Sequence, residues 1–217
     1  MIDFAAARRA MVDSQVRPSD VTRYSIIEAL LWCPRELFVP KAKRDLAYAD
    51  ADIEIAPGRA LLAPRTLAKM LEEADIGHHD LVLDLAPGTG YSTAVIARMA
   101  EAVVGVEPDP RLAGEAQKIL SGLEVDNAVV MEGNPAQGDA QHGPYDVIFI
   151  NGMVEQVPAE LPGQLKDGGR LVALFPDGEF GHCQVWTRAR HGISRRYAFD
   201  AAGPLVPGFE KSPEFVF

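Results

Sequence analysis

Three acidic side chains stand at the ends of three successive apolar runs in the middle of the chain. They are Asp84 in LVLDL, Glu107 at the end of AVVGVE and Glu132 at the end of AVVME. Runs of this length and composition indicate buried strands. Ligands bind outside the carboxyl ends of the strands in an open parallel sheet. We therefore expect the three acids to converge on one crevice, together with Asn151 after a fourth strand.

A glycine turn follows the first of these strands and leads into a helix. The turn runs from Ala86 through Gly88 to Gly90, and the helix begins at Tyr91. Glycines let the backbone approach a ligand closely, and a helix N-terminus presents unpaired N–H groups to it. The strand, turn and helix therefore predict half of a nucleotide-binding βαβ unit, with Asp84 just before the turn.

Two classes of nucleotide ligand compete for this turn. A dinucleotide site has the pattern G-x-G-x-x-G, whereas the turn here is A-x-G-x-G with no glycine three residues after Gly90. Asp84 would repel a pyrophosphate but suits a ligand with a cationic amine and a sulfonium. Glu107 lies 17 residues beyond Gly90, close to the ~20 expected for an acid that accepts hydrogen bonds from ribose. The residues favour S-adenosylmethionine over NAD, and a strained turn without a ligand is the third interpretation.

Composition limits the partners and the compartment. The 217 residues have a hydrophobic share of 47% and a formal charge of −10, which disfavours nucleic acid and anionic membrane surfaces as partners. Cys33 and Cys183 are the only cysteines, so we expect no disulfide framework and a reducing cytosol. The pair His78-His79 lacks a nearby carboxylate or Cys at ligand spacing, so we expect a solvated turn and no metal site. We predict a soluble cytoplasmic protein, and the sequence leaves its oligomeric state open.

Strands alternate with helices after residue 60, which predicts a parallel sheet with helices on both faces. Two further strand-like runs, 183–187 and 194–199, predict an antiparallel C-terminal hairpin. The predicted fold class is α/β: a doubly wound, mainly parallel seven-stranded sheet with that hairpin and a small N-terminal helical cap. Residues 1–60 form the cap and an acceptor-side segment, packed as one unit with a Rossmann-like domain over 61–217.

Local signals add four expectations. Ser19 or Asp20 is expected to cap the second helix of the cap. Residues 41–60 are expected to be irregular apart from one short strand. A helix is expected over 155–165, and the tail 203–217 is expected to pack back onto the body.

The motifs together resemble those of one family. VLDLAPGTGYSTAVIA is similar to the first motif of class I methyltransferases, and in particular of protein-L-isoaspartate O-methyltransferases. VVGVEPDP resembles the ribose-binding segment of that family, and MEGN resembles the segment whose acid meets the adenine amine. Upstream, MVDSQVRP, CPRELFVP, LAYAD and PGRALLAP continue the likeness.

The resemblance implies a methyl donor, a substrate and a set of binding residues. The donor is S-adenosylmethionine, and the substrate is a protein or peptide with an acceptor carboxylate on an isoaspartyl residue. That carboxylate is already ionised near neutral pH, so no strong base is needed. Glu107 would hold the ribose and Glu132 the adenine amine. The implied cofactor-binding residues are Asp84, Ala86, Gly88, Gly90, Tyr91, Glu107, Pro108, Glu132, Gly133 and Asn151.

The acceptor loop departs from the pattern of the resembled family. Where the family typically has GQTISQP, this chain has GRALLAP from Gly58. Leu62 and Ala60 stand in place of Ser and Thr, and Arg59 stands in place of Gln. A leucine offers no hydrogen bond to a carboxylate, so we expect isoaspartyl activity to be weak or absent. Arg59 either holds an anionic group or is a surface residue without a role, and the second is expected. Ala86 in place of the first donor-turn glycine is a mild change if the turn needs no positive φ.

Four hypotheses follow. The leading one is an isoaspartyl-type carboxyl methyltransferase that uses S-adenosylmethionine. A second keeps the donor and changes the acceptor, because the acceptor loop lacks the hydroxyls. A third is a donor-binding protein without catalysis, and a distant fourth is an NAD-dependent oxidoreductase.

Overall fold

The computed structural model describes residues 2–178 and 180–211. Its α-helices are α1 (Phe4–Met11), α2 (Tyr24–Trp32), α3 (Pro64–Ala74), α4 (Tyr91–Ala97), α5 (Pro110–Gly122) and α6 (Glu160–Gly163). Its strands are β1 (Ile53–Ala56), β2 (Arg59–Leu61), β3 (Leu81–Leu85), β4 (Ala102–Glu107), β5 (Ala128–Glu132), β6 (Tyr145–Met153), β7 (Leu165–Asp177), β8 (Phe180–Ala189) and β9 (Gly192–Asp200).

Seven strands form one sheet in the order β5-β4-β3-β6-β7-β8-β9. Neighbours are parallel from β5 to β7 and antiparallel from β7 to β9. The chain runs outward from β3 to β5 and returns on the other side of β3 as β6, so strand order reverses there. Ligands of doubly wound sheets bind outside the carboxyl ends at such a reversal. The predicted fold class is confirmed.

The inner strands form where the sequence has continuous apolar runs. β3, β4 and β5 begin and end at the residues that these runs predict. The buried residues divide into two clusters, one containing Val82 and Phe149 and the other Leu83 and Ile148. Parallel strands covered on both faces have continuous and not alternating hydrophobicity, which is why the runs are easy to recognise. Among the described residues, no helix is both long and apolar enough to cross a membrane.

The N-terminal cap packs on one face of this sheet. Met11, Ile26 and Phe38 of the cap belong to the same buried cluster as Val82 and Phe149. The cap and this face of the sheet therefore share one core. The division at residue 60 stays a prediction.

The start of α2 differs from the prediction. Its N-cap residue is Arg23, and no side chain caps it. The chain instead stays helical after α1, through a π-turn and a 3-10 turn that ends at Ser19. The Ser19 hydroxyl donates to the carbonyl of Gln15 at 2.7 Å. Capping of α2 by Ser19 or Asp20 is therefore wrong, because Ser19 belongs to the preceding helical segment.

The hairpin of β1 and β2 is larger than the single short strand predicted for this region. Ile53 pairs with Leu61 and Glu54 with Ala60 in antiparallel register. Gly58 forms the turn with a φ of +71°, a conformation that glycine adopts without steric cost. The two strands form a sheet of their own, without a ladder to the seven-stranded sheet.

The region 155–165 is not a single helix, and only the four residues of α6 are α-helical. Pro158 and Pro162 each remove a backbone donor, which disfavours a continuous helix. The residues before α6 are irregular instead, and the Gln156 N–H donates to the carbonyl of Phe209 at 3.2 Å. The predicted helix is therefore mostly wrong, because backbone pairing with the tail replaces it.

The tail packs back onto the body, as predicted, over residues 203–211. The Val206 N–H donates to the carbonyl of Met153 at 2.8 Å, and the ring of Phe209 is 1% exposed. The rest of the predicted tail, 212–217, lies outside the described residues. The described tail thus covers the chain just beyond Asn151.

Candidate active site

Glu107 ends β4 at the carboxyl edge of the sheet and is completely buried. Its Oε2 accepts a hydrogen bond from the backbone N–H of Gly88 at 2.7 Å, and its Oε1 accepts one from that of Asp109 at 3.1 Å. Two more come from Arg59, Nη1 to Oε1 at 2.5 Å and Nη2 to Oε2 at 2.8 Å. A carboxylate has about four acceptor sites. The acid expected to hold a ribose is therefore fully engaged by its own chain.

Arg59 reaches this acid from β2. Its side chain is only 11% exposed, and Nη2 also donates to the carbonyl of Ala86 at 3.0 Å. A bidentate guanidinium–carboxylate pair is both strong and geometrically specific. The expectation that Arg59 is a surface residue without a role is wrong. The anionic group that it holds is Glu107 of its own chain.

The glycine turn lies beneath the same hairpin. All residues from 82 to 90 are buried. A Cβ placed on Gly88 would lie 2.4 Å from Cδ1 of Ile55 in β1. Gly90 precedes α4 with a φ of +89°, and its own Cβ position would lie 3.0 Å from the Cβ of Ala116. The space beside these two glycines is thus filled by side chains of the same chain.

Ala86 begins the turn in a left-handed conformation, with a φ of +55°. Its N–H donates to the carbonyl of Val106 at 2.8 Å, so the conformation is held by the neighbouring strand. A left-handed conformation costs an L-residue with a side chain about 1–2 kcal/mol. The turn therefore needs a positive φ at this position. Alanine in place of the expected glycine is thus not a mild change.

Asp84 is completely buried near the end of β3. Its Oδ2 accepts from the hydroxyls of Ser92 at 2.8 Å and Thr93 at 2.6 Å, and its Oδ1 accepts from Nδ2 of Asn151 at 2.6 Å. Burial raises the pKa of Asp84 to about 6, partly offset by these hydrogen bonds and reinforced by the charge of Glu107. Asp84 therefore ties the first turn of α4 to the end of β6.

Tyr91 points away from the strand ends. Its ring is 1% exposed and lies edge-on to Phe38, with centroids 5.4 Å apart, and below the guanidinium of Arg35 at 4.7 Å. Burial raises the pKa of the Tyr91 phenol far above its usual range. The side chain of Tyr91 therefore packs under the cap.

Glu132, Gly133 and Pro108 flank Glu107 at the same edge. Glu132 is the parallel partner of Glu107 in the neighbouring strand and is exposed, whereas Pro108 is partly buried. The Gly133 N–H donates to the Glu107 carbonyl at 3.0 Å. The structure thus brings Glu132, Gly133 and Pro108 together around Glu107, as it brings Asn151 to Asp84.

The acceptor loop is buried at the position of the missing hydroxyl. Leu62 is 4% exposed, and a Cβ on Gly203 of the tail would lie 2.8 Å from its Cδ2. Ala60 is half-buried. The Ala63 N–H donates to Oδ1 of Asp52 at 2.6 Å, and burial raises the pKa of that carboxyl. An apolar contact with the tail therefore fills the place where a hydroxyl was expected to face a carboxylate.

Arg35 is a site residue that the sequence argument missed. It is completely buried, and it donates from Nε to the carbonyl of Ala47 at 2.8 Å and from Nη2 to the carbonyl of Leu62 at 2.7 Å. Burial lowers the pKa of its guanidinium. The signal that marks it is the single arginine within the apolar segment CPRELFVP.

The sheet and the strand-end site together define the class of the protein. An acid ends the second strand of a doubly wound sheet, beside a glycine turn between the first strand and its helix. This is the arrangement of class I methyltransferases. A solved protein-L-isoaspartate O-methyltransferase has the same fold, with a TM-score of 0.80 and 23% identity, over 93% of this chain and 66% of that one.

The particular family follows from sequence. The family model for protein-L-isoaspartate(D-aspartate) O-methyltransferase matches residues 6–195. A protein-L-isoaspartate O-methyltransferase of Pelotomaculum thermopropionicum is 34% identical over 188 residues, which is 87% of this chain and 82% of that protein. The chain belongs to the protein-L-isoaspartate(D-aspartate) O-methyltransferase family, and the family resemblance drawn from its motifs is confirmed.

A second solved member has been described with a ligand. It is a beta-aspartate methyltransferase of Plasmodium falciparum in complex with S-adenosyl-L-homocysteine. Its TM-score is 0.79 at 17% identity, and the match covers 98% of this chain and 100% of that one. At this identity, the likeness extends to the fold alone.

Proposed function

We propose that this protein transfers a methyl group from S-adenosylmethionine to a carboxylate of isoaspartyl residues in proteins. The observation that carries the proposal is the position of Glu107. It ends β4 with its carboxylate on the backbone N–H of Gly88, in a chain whose family consists of such methyltransferases.

The groups at this edge fit the donor in chemical type. Glu107 offers acceptors for the two hydroxyls of a ribose, and the turn at Gly88 presents a backbone N–H beside it. Glu132 is exposed next to it and would accept from an adenine amine. When bound, S-adenosylmethionine supplies an electrophilic methyl group on a sulfonium. Access to these groups requires that the hairpin leave them.

Methyl transfer to the acceptor requires little acid–base catalysis by the protein. An isoaspartyl carboxylate is ionised near neutral pH, so its placement in line with the methyl group is the main requirement. The segment expected to place it, from Ala60 to Ala63, is held by Arg35 and Asp52 through backbone groups. The chain therefore holds the backbone of this segment in place at Leu62 and Ala63.

The direct test is methyl ester formation. The purified protein would be incubated with labelled S-adenosylmethionine and a peptide that contains one isoaspartyl residue. The matched control is the same peptide with an ordinary aspartyl residue. We expect labelled, base-labile ester on the first peptide only. No ester on the isoaspartyl peptide, with donor binding intact, would refute the proposed acceptor.

The burial of Leu62 favours a second candidate, a methyltransferase with another acceptor. Leu62 offers no hydrogen bond to a carboxylate, and its side chain is packed against Gly203 of the tail. The same labelled donor, incubated with size-separated cell extract, would test this candidate. Transfer to a component that lacks isoaspartyl residues would support it, and transfer restricted to isoaspartyl proteins would exclude it.

We also propose that the protein works in the cytoplasm and that neither nucleic acid nor a membrane is its partner. The support is compositional: a formal charge of −10 and two buried, unpaired thiols at Cys33 and Cys183. Fractionation of cells followed by detection of the protein would test the location.

A further inference from the structure

We propose that Arg59 sets the affinity of this protein for its methyl donor by competing with the donor ribose for Glu107. The proposal rests on the proposed function, because it takes the ligand of Glu107 to be the ribose of S-adenosylmethionine. It goes beyond that function by assigning a role to a residue of the acceptor loop in the donor half of the site.

The first support is the occupancy of the carboxylate. Two of the four hydrogen bonds to Glu107 come from the backbone of Gly88 and Asp109, which belong to the fixed frame of the turn and the strand end. The other two come from one side chain, that of Arg59. A vicinal diol needs two acceptor positions, and the only two that a side-chain movement can vacate are those of Arg59.

The second support is the apolar cover beside the ion pair. Ile55 lies over Gly88, where even a methyl group on the glycine would meet it at 2.4 Å. Ile55 and Arg59 are on the two strands of one hairpin. A ligand that enters the turn must therefore displace both side chains, which move together if the hairpin moves.

The third support is the attachment of the hairpin. Its two strands share no ladder with the large sheet, and its turn at Pro57 and Gly58 is exposed. Its base is held where Ile53 and Leu61 are each 5% exposed. The tip, with Ile55 and Arg59, can therefore move away from Glu107 without breaking the strands that build the site.

The expected consequence is a lowered apparent affinity. When only a fraction of molecules is competent to bind, the apparent dissociation constant rises in inverse proportion to that fraction. Removing the guanidinium fork should raise the fraction. Arg59→Gln keeps a polar side chain that can donate one hydrogen bond, and Arg59→Lys keeps the charge without the fork.

The experiment has two readouts on each variant. Calorimetry would measure the affinity for S-adenosylhomocysteine, and hydrogen exchange would measure opening of the amides between Glu54 and Ala60 without ligand. We expect Arg59→Gln to bind roughly tenfold tighter or better than wild type, with faster exchange in the hairpin. The affinity and the exchange rate of Arg59→Lys should lie between those of wild type and Arg59→Gln. Arg65→Gln, which alters an exposed arginine of α3, is the matched control and should behave as wild type.

A further variant keeps the test decisive if Arg59→Gln does not fold. Ile55→Ala loosens the same cover without touching the ion pair, and it should shift both readouts in the same direction. The inference is overturned if folded Arg59→Gln binds S-adenosylhomocysteine no more tightly than wild type. If Arg59→Gln does not fold, it is overturned if Ile55→Ala binds no more tightly than wild type.

The two proposals fail in different ways. Faster hairpin exchange in Arg59→Gln without ligand binding in any variant would remove the proposed function while supporting closure by Arg59. Binding by wild type as tight as by Arg59→Gln would leave the proposed function standing and overturn the role of Arg59.

Discussion

The guanidinium of Arg35 and the carbonyl of Leu62 are joined by a 2.7 Å hydrogen bond that links the N-terminal cap to the acceptor loop. The same side chain also donates to the carbonyl of Ala47 and lies over the ring of Tyr91. One buried arginine thus connects the cap, the acceptor loop and the first residue of α4. The backbone of the acceptor loop is therefore held at Leu62 by a residue of the cap.

Replacement of Arg35 should therefore destabilise the fold. Arg35→Ala leaves two buried carbonyls without their donor, and each such loss costs about 1–3 kcal/mol. We expect the free energy of unfolding in urea to fall by about 2–5 kcal/mol. Arg65→Ala, on the exposed face of α3, should change it by less than about 0.5 kcal/mol. Equal effects of the two substitutions would contradict the role assigned to Arg35.

Restoring hydroxyls in the acceptor loop should raise isoaspartyl methylation. The double variant Ala60→Thr, Leu62→Ser introduces the two hydroxyls that the family pattern has, and a hydrogen bond to a charged acceptor contributes about 1.5–3 kcal/mol. We expect ester formation on the isoaspartyl peptide to rise roughly tenfold or more.

The matched control for that variant is Leu61→Ser. It also removes a buried leucine of the hairpin, so it shares the loss of packing but places its hydroxyl one residue away. An equal rise in Leu61→Ser, or no rise in the double variant, would show that the hydroxyls are not what the loop lacks.

Glu107→Gln should weaken donor binding more than Glu132→Gln. Glu107 is buried on the N–H of Gly88, and an amide replaces one of its acceptor oxygens with a donor. Glu132 is exposed, where water compensates for the loss. Calorimetry with S-adenosylhomocysteine should show a loss of roughly tenfold or more for the first variant and a smaller one for the second. The reverse order would place the ribose elsewhere.

Ala86→Gly should stabilise the protein. Glycine adopts a φ of +55° without the steric cost that alanine bears, although it gains entropy in the unfolded chain. We expect a net gain of up to about 1 kcal/mol, or a rise in Tm of about 2–4 °C for a chain of this size. Ala10→Gly in α1 is the control, where the same substitution in a helix should cost about 0.5–1 kcal/mol. A lower Tm for Ala86→Gly would mean that the turn is not strained.

The contribution of Asp84 to the free energy of unfolding should fall as the pH rises. Burial raises its pKa to about 6, above the ~3.9 of an unfolded chain. Between these values the folded state binds the proton more tightly, so this group's contribution to stability is lost as pH rises from about 4 to about 6. The loss is on the order of 3 kcal/mol.

The measurement is unfolding in urea across that range for wild type and Asp84→Asn. The difference between them isolates Asp84 from the other titrating acids. Asp126→Asn, at an exposed acid, should follow wild type. A wild-type curve parallel to that of Asp84→Asn would show that Asp84 does not titrate in this window.

The elements predicted well are those whose signals are local. The bounds of β4 and β5 follow from continuous apolar runs that end in Glu107 and Glu132, because a strand covered on both faces must be apolar throughout. The helix predicted over 155–165 failed for the opposite reason. The Gln156 N–H donates to the carbonyl of Phe209, and local propensity does not record a partner that lies some fifty residues away.

The sequence by itself determined the strand ends, the glycine turn and the family they belong to. Their order along the chain places them at one edge of a parallel sheet. Only the tertiary structure decided what those groups hold in the folded chain. Arg59 and Glu107 are 48 residues apart. Their pairing depends on how the hairpin of β1 and β2 packs against the end of the sheet. That contact joins the acceptor loop to the end of β4, because the buried carboxylate of Glu107 is paired with the guanidinium of Arg59.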